Sequence, residues 1–365
     1  MSEVYIRGSD CKAAFSGSLG WGSGTVSLGA NSQLPLLNES IAFEKGTLND
    51  ETLQGEGGKF NHDVISEKYA GSLPCQMRCD GSILPLVYMV MGSGSKSNVA
   101  SGVYDHTIEL APIHACTGSN FYHHQGTLGI GKGEFVDVYD SFKPTKMTIT
   151  GNPANDIVAT FDGVAYNKTK TSPGAANFSS WSEKTTKSFR FKNLTMYMSD
   201  WGSSKASWDT DDAVRISDFN LSVDRVVGAD IQTNVTGTKF EEGVEGAREV
   251  GYTFTVPTVG ANRSTDKRDF TDDVKNDTRK MIKLAFTGGV TEENANYNYA
   301  LDCYMSSVYL TKGDKNIAGK DLVSITYECL LERTNTNITL MEQGDNKNEL
   351  VFVWRNNEDV VPMRS

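Results

Sequence analysis

Cysteine, proline and histidine are scarce in this chain, and it contains no long apolar run. Across 365 residues there are 6 Cys, 9 Pro and 5 His. The cysteines (Cys11, Cys75, Cys79, Cys116, Cys303 and Cys329) form no Cys-x-x-Cys pair, so no zinc-ribbon or dithiol redox motif is present. Cys75 and Cys79 on one face of a single strand would stand roughly 13 Å apart, too far to bridge. All six read as reduced, small apolar residues of a protein made in a cytoplasm. The longest apolar run, residues 83–91, carries Pro85 and falls well short of the roughly 20 residues a membrane-spanning helix needs. The opening residues lack the basic-then-apolar form of a signal peptide, so the sequons at Asn167 and Asn193 predict no glycosylation.

Catalytic signatures are missing as well. There is no phosphate-binding Gly-x-x-x-x-Gly-Lys-Ser/Thr, no His-Glu-x-x-His, no Gly-x-Ser-x-Gly and no calcium-loop spacing. Gly129-Ile-Gly-Lys-Gly133 is followed by a strand-like segment rather than a helix, which predicts a tight turn. Asp211-Asp212 and Asp272-Asp273 are adjacent and cannot face each other across a cleft. The second pair suits the first turn of a helix. His106, His114, Cys116, His123 and His124 fall within 19 residues and are weak metal candidates. Imidazole and thiolate suit zinc, but the spacing matches no compact zinc signature, which favours ordinary strand-face or loop histidines. Trp21, Trp181, Trp201, Trp208 and Trp354 could stack on a sugar, although core or interface burial is the simpler reading. The expectation is no enzyme, no cofactor and no resident metal.

What is abundant points to a sheet protein. Glycine (35 residues), with many Ser, Thr and Asn, favours short strands joined by turns. Apolar content of 38% and charged content of 22% describe a globular chain rather than a disordered one. The net charge of -11 is spread along the sequence. Such a surface repels phosphate, which argues against conventional nucleic-acid binding. Apolar residues alternate with period two around residues 147–150, 194–198, 219–223, 252–256 and 323–327, each predicting a half-buried strand. Helical spacing is confined to residues 266–286, ending at Gly288-Gly289, and to a short segment at 83–91.

An internal repeat organises the chain. Gly57-Gly-Lys-Phe60 returns as Gly237-Thr-Lys-Phe240, an offset of 180 that also relates Ile41 and Phe43 to Leu221 and Val223, Lys68 to Arg248, and Gly71 to Gly251. A second echo pairs Asp156 and Val158 with Asp321 and Val323 at an offset of 165. The shorter offset means that the first half holds extra residues, which fits a Gly/Ser loop at 92–102. The fold expectation is a mainly β protein with two tandem β-sandwich or barrel domains, 1–210 and 211–365, each with at most one short helix. Residues 168–187 read as a mobile loop, 189–198 as the last strand of the first domain, and 201–212 as the junction.

Several blocks carry a family resemblance. They are Gly17-Ser-Leu-Gly-Trp-Gly-Ser-Gly24, the run from Arg78 to Gly92, Phe142-Lys-Pro-Thr-Lys-Met-Thr-Ile-Thr150, and the run from Glu242 to Val256. In order and spacing the chain resembles the major tail tube proteins of bacteriophages, in the duplicated form found in some long-tailed siphophages. The resemblance implies a virion structural protein whose strands join those of neighbours in rings, three two-domain chains making a pseudo-hexamer. Rings stack into the tube through which genome DNA leaves the capsid, sliding past an acidic lumen without specific binding. The implied partners are the chain itself and other tail proteins such as the tape measure, tail terminator and distal tail proteins. The implied location is the virion tail, after synthesis in the host cytoplasm. The family's long assembly loop corresponds to residues 44–70, with Glu44, Lys59, Phe60 and Lys68, and to 225–250, with Arg225, Lys239, Phe240 and Arg248. Length, strand content and charge equally suit a non-tube β-sandwich, a decoration or adhesion protein of a virion or cell surface.

Overall fold

A computed structural model describes residues 11–17, 25, 27–29, 33–50, 60–110, 125–182, 186–202, 204–205, 208–225, 248–257, 269–316, 324–334, 338–340, 345–346 and 348–358. Strands dominate. The first half holds β1 (Cys11–Gly17), β2 (Gln33–Leu34), β3 (Ala42–Asp50), β4 (Phe60–Gln76), helix α1 (Leu84–Met91), β5 (Gly92–Ala100), β6 (Val103–Leu110), β7 (Gly126–Lys132), β8 (Val136–Gly151), β9 (Val158–Ala165) and β10 (Asn167–Thr171). After it come β11 (Leu194–Asp200), β12 (Ser204–Lys205), β13 (Ala213–Val214), β14 (Asp218–Asp224), β15 (Glu249–Pro257), α2 (Thr271–Lys275), β16 (Arg279–Val290), β17 (Asn298–Asn316), β18 (Ser324–Leu331), β19 (Ile338–Leu340), β20 (Asp345–Asn346) and β21 (Val351–Asn356). Eighteen strands form one antiparallel sheet, and β12, β19 and β20 make a small separate one.

The strands follow from alternation. In β9 every second side chain (Ala159, Phe161, Gly163, Ala165) is buried, and β14 alternates in the same way through Phe219, Leu221 and Val223. These inward faces share one continuous core with α1. Pro85 sits in the first turn of α1, where its missing N–H costs nothing, and Gly92 ends the helix at φ 87°, a left-handed angle that favours glycine. Almost all of α1 is buried, against β5, β6, β8 and β14.

The sheet wiring occurs twice. In the first set β1 pairs with β2 and β7, β7 with β8, β8 with β9 and β10, and β4 with β3 and β9. In the second set β11 pairs with β13 and β16, β16 with β17, β17 with β18 and β21, and β15 with β14 and β18. Registers correspond as well. Leu73↔Phe161 recurs as Phe254↔Tyr327, Ala13↔Ile130 as Met196↔Leu284, and Ile130↔Asp137 as Leu284↔Cys303. The β5–β6 hairpin has no counterpart among the described residues of the second set. Its β6 edge pairs instead with β21, where Arg355 grips Asp105 through two 2.8 Å hydrogen bonds.

Five expectations change. The segment at 266–286 contains only the single turn of α2 before β16 begins. Both faces of β16 are covered, with Met281 against Tyr304 and Val351 on one side and Ile282, Leu284 and Phe286 in the main core on the other, so its alternation is hidden. The Gly/Ser segment at 92–102 is strand β5, whose Gly94 passes so close to α1 that a Cβ would meet the Tyr88 ring at 2.5 Å. Residues 168–171 of the expected mobile loop belong to β10 on β8, and Trp181 in the same segment is buried with Leu28 and Val138. Cys79 lies beyond the end of β4, so it does not share a strand with Cys75. In addition, β11, expected to close the first domain, pairs with β13 and β16. Among the described residues no helix is long and apolar enough to cross a membrane.

Candidate functional site

The two wiring sets meet edge to edge. β8 belongs to the first set and β14 to the second, and they pair antiparallel from Lys146↔Asp224 to Phe219↔Gly151. Along this seam Met147 lies opposite Val223 and Ile149 opposite Leu221, all four buried. On the other face Lys146 meets Asp224 across the strands at 3.8 Å. The seam continues one residue further, where the Arg225 N–H donates to the Thr145 carbonyl at 2.9 Å. The Arg225 side chain then turns inward, fully buried, and donates from Nη1 to the carbonyls of Met89 at 2.8 Å and Pro144 at 3.4 Å. The sequence placed Arg225 in an exposed assembly loop. It is instead an internal tie between the seam and the end of α1, because its guanidinium bonds the Met89 carbonyl left over by the helix end together with the Pro144 carbonyl of β8.

The counterparts of these two edges carry no strand among the described residues. β3 pairs only with β4, and β17 beyond Tyr309 pairs only with β18. Glu44 stands on β3, exposed, 3.4 Å from Lys68 on β4, so these two expected assembly residues are brought together. Lys312 stands on β17, exposed, 3.3 Å from Glu328 on β18. Phe43 is 47% exposed beside Tyr69, one of the few large apolar side chains left open to solvent. Arg248 precedes β15, and burial lowers its pKa. Lys59, Lys239 and Phe240 lie outside the described residues, and Phe60 is described only as the first residue of β4.

Of the histidine group, His106 lies among the described residues. His106 is buried on β6, its Nδ1 3.1 Å from the Tyr88 hydroxyl and its Nε2 3.0 Å from the Glu358 carbonyl. Both ring nitrogens are thus engaged within the fold. His114, Cys116, His123 and His124 lie outside the described residues. Among the described residues no group of three His, Cys, Asp or Glu could hold a metal ion. Trp181 and Trp354 are core residues, and Trp201 and Trp208 are partly buried against Met281, Tyr304 and Val351. Trp21 lies outside the described residues. The tight turn expected over Gly129 to Gly133 is not found: Gly129 to Lys132 belong to strand β7, and of that segment only Gly133, at a left-handed φ of 76°, lies in the turn into β8.

A cleft of about 760 Å³ opens beside β1 and β7, lined by Lys12, Gln33, Leu36, Glu39, Arg78 and Lys132 among others. Lys132 is held by Glu39 at 2.8 Å and by buried Asp137 at 3.2 Å. Burial opposes its charge, yet these carboxylates prevail and its pKa is raised. A lysine locked in its charged form is a poor proton acceptor, so the cleft offers a structural ion pair rather than an activated base.

Neither a protein-family model nor a curated protein matches the sequence.

Proposed function

We propose that the chain is a self-assembling structural protein, a tail tube subunit of a bacteriophage built from two fused copies of one β-unit. The observation that carries this reading is the repeated wiring with its edge-to-edge seam. Two copies joined head to tail present different edges at their two ends, which is a heterologous contact. Repeated from chain to chain, such a contact generates either a closed ring or an open filament. Three chains supply six units. In this reading the units divide before β11, the counterpart of β1, rather than at residue 210.

The acidic character of the chain supports a conduit for nucleic acid. A net charge of -11 per protomer repels phosphate and lets a polyanion slide without sticking. Unpaired strand edges are a liability for a solitary soluble protein and an asset for one completed by its own copies. The partners in this reading are sister chains, neighbouring tail proteins and passing genome DNA, and the location is the virion tail.

Negative-stain electron microscopy of the purified protein, with analytical ultracentrifugation across salt and concentration, tests the proposal. Rings or tubes with a central channel and threefold or pseudo-sixfold views are expected. Monomers under every condition would overturn it.

A further inference from the structure

The repeated wiring says which edges join one chain to the next, and in which register. Lys146↔Asp162 in β8–β9 and Lys312↔Glu328 in β17–β18 are corresponding pairs, 166 residues apart on both strands. Ala42↔Ala70 in β3–β4 corresponds to Ser222↔Gly251 in β14–β15, 180 residues apart on the first strand and 181 on the second. The seam pairs Lys146 with Asp224. Moving Lys146 on by 166 positions gives Lys312, and moving Asp224 back by 180 gives Glu44.

We infer that residues 312–316 of β17 add antiparallel to the outer edge of residues 40–44, where β3 begins, in a second copy of the chain. The register sets Lys312 opposite Glu44, Gly313 opposite Phe43, and Asn316 opposite Ser40. The inference rests on the ring reading above and deepens it by naming the contact. Three features of these edges, none of them used to derive the register, fit it. Each edge is unpaired among the described residues. The charges complement each other as in the seam, where Lys146 faces Asp224. Joining Lys312, already on Glu328, to Glu44, already on Lys68, produces a row alternating in sign across four strands. Finally, exposed Phe43 gains a place. It takes the position of buried Val223 in the seam, and Gly313, which takes that of buried Met147, has the Tyr327 ring against it on its inward face, within 2.6 Å of where a Cβ would be. The space in front of Gly313 is filled by that ring and by Val274, so the incoming Phe43 ring packs against Tyr327.

The test is a directed disulfide in the full-length chain. Lys312 and Glu44 are both exposed, so Lys312→Cys with Glu44→Cys leaves the core untouched. On oxidation the double variant should give dimers and trimers on a non-reducing gel, with a closed three-chain species as the limit. Each single variant should remain at the level of wild type. Lys312→Cys with Thr47→Cys, three residues out of register, should stay at the level of the single variants, because Cα atoms more than about 7 Å apart cannot be bridged without backbone movement. Independently, Glu44→Lys should weaken assembly on the order of tenfold, and adding Lys312→Glu should restore it. Wild-type rings with no preference for the Glu44 pair over the Thr47 pair, or no rescue by the double reversal, would overturn the register while leaving the ring standing. Wild-type chains that form no rings would overturn both.

Discussion

Replacing Gly71 with alanine asks how tightly β3 is clamped to β4 at the edge through which assembly is proposed. A Cβ at Gly71 would lie 2.6 Å from the Ile41 Cα, 2.6 Å from the Ser40 carbonyl oxygen and 2.7 Å from the Ile41 nitrogen. All three are main-chain atoms, so no side chain can swing aside. Ordinary contact begins at 3.4 Å, so the start of β3 must withdraw by about 0.8 Å. That movement stretches the hydrogen bonds from Leu37 N–H to the Pro74 carbonyl (2.9 Å) and from Ser40 N–H to the Ser72 carbonyl (3.2 Å). Overpacking of this kind costs about 1–3 kcal/mol. Alanine's reduced freedom in the unfolded chain returns about 0.4–1 kcal/mol. The net expectation is a loss of about 1–2 kcal/mol. Gly289 provides the control, because a Cβ there meets nothing within 4 Å and only the entropic gain applies. Urea unfolding followed by tryptophan fluorescence at one fixed protein concentration measures both variants. Hydrogen exchange at the amides of residues 42–44 and 68–70 should accelerate in Gly71→Ala alone. A Gly71→Ala midpoint equal to or above that of Gly289→Ala would refute the clamp.

Two further outcomes follow from buried ionisable groups. At about pH 8, iodoacetamide should modify exposed Cys11 and spare Cys75 and Cys79, whose thiols burial pushes up to about 12, as well as Cys303, whose thiol burial also raises. The thiolate population at Cys75 falls on the order of a thousandfold, and peptide mapping that found it labelled before unfolding would refute this burial. Burial also works against the Lys280 ammonium, but hydrogen bonds to Asp200 and Asp273, each 2.7 Å away, prevail and raise its pKa. A raised lysine stabilises the fold fully below its ordinary pKa of about 10.4 and loses that contribution as pH climbs through the raised value. The urea-midpoint advantage of wild type over Lys280→Met should therefore shrink above about pH 10.4, and a constant gap would count against the pairing.

Strand positions were readable where one face of the sheet meets solvent. Residues 147–150, 194–198, 219–223 and 252–256 all lie in strands, since a half-buried strand writes its pleat into the order of its side chains. The same rule explains the failure at β16. Lys280 to Ile282 are buried in succession at a register shift in β16, with Lys280 under Asp200 and Asp273, and the resulting run imitates helical spacing. β5 escaped notice for the opposite reason. Its glycines and serines are held by main-chain bonding to β6, which leaves little trace in side-chain chemistry. The sequence offsets of 180 and 165 lie close to the 180, 181 and 166 that separate the register pairs matched above. The seam was not. Arg225 reads as one more loop cation until its burial is seen, and an unpaired edge is a property of pairing that no single strand's sequence displays.

The union of β8 with β14 has one more consequence, because both strands are carried by the same polypeptide. Their meeting is a first-order event, independent of dilution, and it forfeits none of the translational freedom that two separate molecules would lose on association. A tether of this kind also relaxes the demand for identity. In the two-unit reading proposed above, the halves need no longer be interchangeable, so one of them can carry an ornament such as the β5–β6 hairpin and dock it on β21 of the other.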